Sequence, residues 1–224
     1  QNISIFIMEE LEHIVDELQL ENDKASAADP DIHASLAIVE EFLKTHPVMC
    51  YGGTAINNLL PKKDQFYDKE LEIPDYDFFS SSALEDAKEL ANIYYGAGFE
   101  EVEAKSGQHF GTYKVFVNFI PVADITSIPE ELYKKLKEEA KRVNGIMYAP
   151  PNYLRMAMYL ELSRPAGDVS RWEKVLKRLS ILNKHYPISG TNCDAVKFQR
   201  NMQDNKNAAL VYDTVKQTLI DQGC

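Results

Sequence analysis

The sequence has little cysteine, no long apolar run and no basic leader, and each of these features excludes a class of protein. Its three cysteines, Cys50, Cys193 and Cys224, are too few and too scattered for a disulfide framework or a zinc site. A reducing, intracellular compartment is therefore expected. No apolar stretch approaches the roughly 18 residues that a membrane span needs. Acidic residues interrupt positions 1–20, so a signal peptide is not predicted.

The composition is that of a globular protein, with 45% apolar and 26% charged residues among 224. The net charge of −11 argues against a nucleic-acid partner, but the charge is unevenly distributed. Residues 1–131 carry 26 acidic and 8 basic side chains, whereas residues 132–224 carry 9 and 16. The second half therefore either binds a phosphate-bearing partner or is simply attracted to the acidic half, and charge alone leaves both interpretations open.

Hydrophobic periodicity predicts an α+β chain in which helices come first, strands mix with helices next, and helices alone follow residue 150. Strands are predicted over 48–51, 75–79, 101–105 and 111–124. Helices are predicted over 4–20, 30–46, 54–60, 82–95, 129–143, 153–162, 171–184 and 207–221, with a loop at 21–29.

The sharpest local motif is a pair of glycines, Gly52 and Gly53, between a short strand and a helix. Without Cβ atoms, the backbone here can approach a ligand closely. The helix that follows directs free N–H groups and the positive end of its dipole toward that point, which suits a phosphate. Taken alone, the motif indicates phosphate binding only weakly, because a Gly-Gly pair at this position usually forms an ordinary strand-to-helix turn.

Two carboxylates, Asp75 and Asp77, stand two positions apart on a predicted strand and so face the same side of a sheet. Like charges placed so closely are unfavourable unless a cation lies between them. Mg²⁺ and similar hard cations take oxygen ligands of this kind. The alternative is a solvated turn after Pro74, although the apolar pair Phe78 and Phe79 favours a strand that enters a core.

A third acidic residue, Asp124, ends an otherwise apolar predicted strand and is the only acid between Glu103 and Glu130. A carboxylate at such a position either caps the next turn, through Thr126 and Ser127, or serves as a metal ligand. The residues around Asp124 leave both roles open.

The combination of a Gly-Gly turn, an Asp pair and a later lone Asp resembles the layout of DNA polymerase β-like nucleotidyltransferases. The spacing between Gly53 and Asp75 is longer than in many of them, so the resemblance requires an insertion. Wider motifs are similar to those of the poly(A) polymerase catalytic subunits of large DNA viruses, from about residue 33 to the end. They are Tyr51-Gly-Gly-Thr-Ala-Ile-Asn57, Pro74-Asp-Tyr-Asp-Phe78, Gly111-Thr-Tyr-Lys-Val-Phe-Val-Asn118, Ala123-Asp-Ile-Thr126, and the region from Leu160 to Arg178.

The resemblance implies a mixed nucleotidyltransferase-fold sheet with flanking helices, followed by a helical region. It also implies template-independent transfer of AMP from ATP to an RNA 3′-hydroxyl, with two Mg²⁺ or Mn²⁺ ions. Asp75, Asp77 and Asp124 would hold the ions, and Asp124 would help to deprotonate the hydroxyl. The residues that would bind the nucleotide are Gly52, Gly53, Thr54, Asn57, Lys174 and Lys177.

The basic helix over 171–184 carries Lys174, Lys177 and Arg178, which can face phosphates or only solvent. The expected organisation is an N-terminal helix and loop at 1–30, a catalytic domain at 31–149 and a helical region at 150–224. The chain is shorter than members of the resembling family, which carry a second domain, so it is expected to be a fragment or a shortened relative.

The resemblance further implies a possible homodimer, no membrane association, and a location in the host cytoplasm or the virion. Two alternatives stay open at this point. One is a nucleotidyltransferase of the same fold with a different acceptor, and the other is a catalytically incompetent fragment or structural module.

Overall fold

A computed structural model describes most of the chain up to residue 188. The described positions are 11, 14–15, 17–22, 24–26, 28–67, 73–164 and 167–188. All described positions between 11 and 26 are helical. Helical residues therefore also occur at 21–22 and 24–26, within the predicted loop at 21–29. The helix predicted over 207–221 lies outside the described residues.

The first elements place the Gly-Gly turn. Helix α1 (Pro30–Thr45) begins at Asp29, whose side chain accepts a hydrogen bond of 2.8 Å from the Asp31 N–H. Strand β1 (Met49–Cys50) then leads directly into helix α2 (Gly52–Leu59). The predicted order of strand, glycine pair and helix is thus confirmed.

The remaining elements alternate between strands and helices before two helices follow in succession. They are β2 (Tyr76–Ser80), α3 (Ala83–Gly96), β3 (Val102–Ser106), β4 (Thr112–Val117), β5 (Ile120–Ser127), α4 (Glu130–Glu139), β6 (Lys141–Val143), β7 (Ile146–Tyr148), α5 (Pro151–Ser163) and α6 (Trp172–His185). Short 3₁₀ turns occupy Lys62–Asp64 and Val169–Arg171. No helix in the described ranges is both long and apolar enough to cross a membrane.

The seven strands form one mixed sheet in the order β3-β4-β5-β2-β1-β7-β6. Strand β2 pairs in parallel with β5, and β1 pairs in parallel with β7, while the other neighbours are antiparallel. The expected α+β class, with a mixed sheet and flanking helices, is confirmed. The parallel pairing of β2 and β5 brings segments that are far apart in the sequence side by side.

The two faces of the sheet have different environments because successive side chains on a strand point to opposite faces. On one face, Tyr76 and Phe78 of β2 pack beneath α1, and the Tyr76 hydroxyl donates to Glu40 at 2.6 Å. On the other face, Phe79 contacts the ring of Tyr153 in α5, with ring centroids 5.7 Å apart. Asp77 shares this second face with Phe79, so the carboxylate lies on the α5 side.

Two sequence-based boundaries are wrong for the same reason. The strand predicted over 111–124 is two strands joined at Asn118 and Phe119, and the helix predicted over 129–143 ends at Glu139 and is followed by a β-hairpin. Both turns consist of two residues with positive φ: 49° and 66° at Asn118 and Phe119, and 52° and 85° at Asn144 and Gly145. Two left-handed residues in succession match the twist of a tight hairpin.

Candidate active site

The centre of the site is a row of three charged side chains on adjacent strands. Asp77 of β2 is the register partner of Asp124 in β5, and Asp124 is in turn the partner of Lys114 in β4. Neighbouring strands lie about 4.8 Å apart, so the three side chains are close neighbours on one face. Lys114 Nζ forms a short ion pair with Asp124 Oδ2. Two carboxylates and one ammonium are therefore held by the sheet itself.

Asp75 precedes β2 and is tied to helix α2 through its backbone. The Thr54 hydroxyl donates to the Asp75 carbonyl oxygen at 2.7 Å, and Thr54 is buried. The hydroxyl of Thr54 therefore fixes the start of β2 against the first turn of α2. The prediction that Thr54 also contacts a nucleotide stays a prediction.

The glycine pair lies directly against this carboxylate row. Gly52 has a φ of +72°, and a Cβ atom built on it would lie 2.5 Å from Asp77 Oδ2. The Tyr51 N–H donates to the Asp77 carbonyl oxygen at 2.9 Å. The N-terminus of α2 and the Asp77 carboxylate thus meet at van der Waals distance, and a side chain at position 52 would separate them.

Burial and mutual repulsion perturb the acids. Burial, together with the negative charges of Asp75 and Asp124, raises the pKa of Asp77 to about 7, against the opposing charges of Lys114 and Arg171. Burial likewise raises the pKa of Asp75, with Asp124 adding to the effect. Such a cluster of destabilised carboxylates is typical of a functional site rather than of a structural ion pair.

The raised pKa of Asp77 predicts that the metal-free protein loses stability as the pH rises from about 4 to 7. In that interval the folded chain holds a proton on Asp77 that the unfolded chain, with an ordinary pKa near 3.8, has released. The free energy of unfolding therefore falls with increasing pH.

Thermal denaturation in EDTA between about pH 4.5 and 8 tests this for the wild type and Asp77→Asn. We expect the melting temperature of Asp77→Asn, measured relative to that of the wild type, to increase as the pH rises. A difference that stays constant over this range would contradict the assignment.

The acids fit a divalent cation by their chemistry. Asp124 Oδ1 is buried and has no hydrogen-bond partner among the described residues, so this oxygen is available to a ligand or to a proton. Carboxylate oxygens are the ligands that Mg²⁺ and Mn²⁺ accept. Within the described ranges, however, no group of three His, Cys, Asp or Glu side chains is arranged to hold a metal ion as it stands. Lys114 engages Asp124 instead, so metal binding requires a rearrangement of side chains.

A groove of about 750 Å³ lies beside the glycine pair, between α6 and the residues at 66–67. The guanidinium of Arg178 lies over the rings of Phe66 and Tyr67, 4.9 and 5.5 Å from their centroids, and donates to the Tyr67 hydroxyl at 2.9 Å. A Cβ atom at Gly53 would lie 2.3 Å from that hydroxyl and 2.8 Å from Arg178 Nη1. Arg178 therefore brings a positive charge to the N-terminus of α2.

Three other residues predicted to bind nucleotide, Asn57, Lys174 and Lys177, lie near this groove and differ in burial. Asn57 is buried, and its side-chain oxygen accepts from the N–H groups of Phe66 and Tyr67 at 2.8 and 3.1 Å. It thereby holds the segment that contacts Arg178. Lys174 and Lys177 line the groove and are exposed. Direct contact of these three side chains with a nucleotide stays a prediction.

Sequence reasoning did not assign a role to Lys114 or Tyr67. Lys114 alternates with buried Val115 on a strand, which signals only that it faces away from that core. Its pairing with Asp124 depends on the register of β4 and β5. Tyr67 lies in a charged loop without periodicity, and no local signal marks it.

Comparison with known proteins agrees with the family that the sequence motifs resemble. The family model described as "Poly(A) polymerase catalytic subunit" matches residues 37–168, which include the glycine pair and all three aspartates. The chain is 34% identical over 192 residues to a protein of Acanthamoeba polyphaga mimivirus assigned as a poly(A) polymerase catalytic subunit. It is also 34% identical over 180 residues to the protein of the same assignment in African swine fever virus.

These alignments cover 81% and 78% of this chain but only 32% and 38% of the mimivirus and African swine fever virus proteins. The chain thus spans about a third of the length of the curated relatives it matches. Among solved structures, it resembles the Megavirus polyadenylate synthase, with a TM-score of 0.71 and 28% identity, over 84% of this chain and 38% of that one. The nucleotidyltransferase fold expected from the sequence is confirmed.

Proposed function

Since the chain belongs to the poly(A) polymerase catalytic subunit family, we propose that it transfers AMP from ATP to the 3′-hydroxyl of an RNA without a template. The observation that carries the proposal is that the carboxylate row, which suits a cation, lies against the N-terminus of α2, which suits a phosphate. The carboxylate of Asp77 lies against Gly52, at the N-terminus of α2, and in register with Asp124. A cation held by the acids and a phosphate held by the helix would therefore be neighbours.

The chain's own residues divide the work of binding. The N–H groups at Gly52 and Gly53 would receive the triphosphate, and Arg178 would add a charged donor on the groove side. Asp75, Asp77 and Asp124 would hold two Mg²⁺ or Mn²⁺ ions, which when bound neutralise charge on the triphosphate and on the leaving pyrophosphate.

In the proposed reaction, the 3′-oxygen of the RNA forms a bond to the α-phosphorus of ATP. The bond from that phosphorus to the bridging oxygen of the β-phosphate breaks, and pyrophosphate leaves. Asp124 would accept the hydroxyl proton, because its Oδ1 has no hydrogen-bond partner in the described part of the chain. As in other phosphoryl transfers, the protein mainly positions groups and balances charge.

A panel of acceptors tests this proposal. The chain would be incubated with ATP labelled at the α-phosphate and, separately, an oligo(A) RNA, a tRNA, a protein mixture and small alcohols. Label on the RNA, in the presence of Mg²⁺ or Mn²⁺, supports polyadenylation. Label on another acceptor instead would favour a different nucleotidyltransferase of the same fold.

Replacement of Arg178 by alanine is expected to weaken ATP binding about tenfold to a hundredfold, because a charge-assisted hydrogen bond to phosphate is lost. Lys184→Ala is a matched control on the same helix, since Lys184 pairs with Asp64 and lies outside the groove. Displacement of a fluorescent ATP analogue measures both. Equal affinities for Arg178→Ala and the wild type would remove Arg178 from the site.

We also propose that the protein acts in the host cytoplasm or the virion, since the matched relatives are viral. Formation of a homodimer is a further proposal that rests on the family resemblance alone. Sedimentation of the purified chain at several concentrations measures it directly.

A further inference from the structure

Lys114 is paired with one of the proposed metal ligands, and its position is fixed by the sheet. It stands opposite Asp124 in the antiparallel β4–β5 register, and the two form an ion pair. The Lys114 side chain is 35% exposed and that of Asp124 is 16% exposed, so water screens this pair less than an ordinary surface pair. The field of Lys114 also reaches Asp75 and Asp77, whose pKa values burial raises and Lys114 lowers.

A second lysine on this face, Lys105, has different interaction partners. Lys105 of β3 is the register partner of Lys114, so the two ammonium-bearing side chains stand directly across from each other. Lys105 Nζ lies 4.1 Å above the ring of Phe116 and pairs with Glu103 at 2.9 Å. Its ammonium therefore has partners other than Asp75, Asp77 and Asp124. Like charges opposite one another are destabilising, and the Asp124 carboxylate offsets that repulsion for Lys114.

We propose that Lys114 is a resident counter-ion of the carboxylate site, which a divalent cation must displace from Oδ2 of Asp124, since Oδ1 is left to accept the hydroxyl proton in the proposed reaction. The inference rests on the proposed function, since it takes Asp124 as a metal ligand. A divalent ion that occupies Oδ2 of Asp124 leaves Lys114 beside a new positive charge and without its carboxylate partner. Lys114 thus competes with the metal and lowers the affinity of the site for free cations.

A consequence follows for the order of binding. The triphosphate of a bound nucleotide offers the displaced ammonium new oxygen acceptors, so it relieves the cost of displacement. Metal ions should therefore bind weakly to the protein alone and more tightly together with ATP. The triphosphate also ligates the metal directly, so only the part of this difference that Lys114→Met removes reports on the displacement of Lys114.

The test measures Mn²⁺ affinity from the electron paramagnetic resonance signal of free Mn²⁺, without nucleotide, for the wild type, Lys114→Met and Lys105→Met. We expect Lys114→Met to lower the dissociation constant of Mn²⁺ about fivefold to thirtyfold. In this variant the metal no longer has to break a charge-assisted hydrogen bond to Asp124 in order to bind. Lys105→Met removes the charge of the neighbouring lysine and leaves Asp75, Asp77 and Asp124 unchanged. Its dissociation constant for Mn²⁺ should stay within about twofold of the wild-type value.

An unchanged or raised dissociation constant in a folded Lys114→Met protein overturns the proposal. If the methionine variant does not fold, Lys114→Gln replaces it, because the amide retains a donor toward Asp124 without the charge, and the same direction is expected. Absence of Mn²⁺ binding in the wild type and in all variants would instead overturn the metal site itself. The two failures are therefore distinguishable.

Discussion

Replacement of Asp77 by asparagine is expected to abolish AMP transfer while leaving the fold at least as stable as in the wild type. The carboxamide would keep the shape of the side chain but lose the charge that a divalent cation requires. A loss of roughly a thousandfold or more in rate is expected, since metal-ion stabilisation of phosphoryl transfer is worth several kcal/mol. Stability should not fall, because burial and two neighbouring carboxylates already disfavour the charge of Asp77 at neutral pH.

The two readouts together separate a catalytic role of Asp77 from a structural one. Incorporation of labelled AMP and the melting temperature in EDTA would be measured on the same preparations. Asp31→Asn, an exposed substitution in the first turn of α1, is the matched control and should leave AMP incorporation as in the wild type. An Asp77→Asn protein that retains roughly a tenth of wild-type activity, or that melts well below the wild type at neutral pH, would contradict the assignment.

Replacement of Gly52 by alanine is expected to damage both stability and activity. The backbone at Gly52 has a φ of +72°, which costs an L-residue about 1–2 kcal/mol. In addition, the new Cβ atom would lie 2.5 Å from Asp77 Oδ2, so the carboxylate must move. We expect a lower melting temperature and a loss of AMP transfer of about a hundredfold or more, because small displacements of a reacting group are costly.

Gly96→Ala provides the matched control for this substitution. Gly96 ends helix α3, and a Cβ atom there would meet no atom within 4 Å. Its replacement should be neutral or slightly stabilising, since alanine has the higher helix propensity. A Gly52→Ala protein as stable and active as Gly96→Ala would show that the close approach to Asp77 is not required.

The parts of the site that depend on local pattern could be predicted from the sequence. The glycine pair follows β1 as expected but already forms the first two residues of α2, and Asp77 lies on β2, with Asp75 just before the strand begins. The hairpin turns were missed because each needs two left-handed residues. Asn144-Gly145 follows the helix predicted over 129–143 and fits a helix C-terminus equally well, whereas Asn118-Phe119 carries no glycine to mark it.

The remaining parts of the site depend on contacts between distant segments, which periodicity cannot predict. Lys114 meets Asp124 only through the β4–β5 register, and Arg178 meets Tyr67 across 111 positions. Asn57 was expected to bind nucleotide, and its carboxamide oxygen holds the backbone at Phe66 and Tyr67. The contacts of these residues join segments that are distant in the sequence, so their roles can be assigned only once the sheet order is known.

The most direct test of the account is extension of an oligo(A) RNA primer by the chain with each of the four labelled nucleoside triphosphates and Mg²⁺ or Mn²⁺. A primer that ends in a 3′-deoxynucleotide and an Asp75→Asn/Asp77→Asn protein serve as controls. The account predicts ATP-selective extension that requires the 3′-hydroxyl and the divalent cation and is lost in the double variant. Extension that the double variant retains, or its absence in a wild-type protein that binds both Mn²⁺ and ATP, would contradict it.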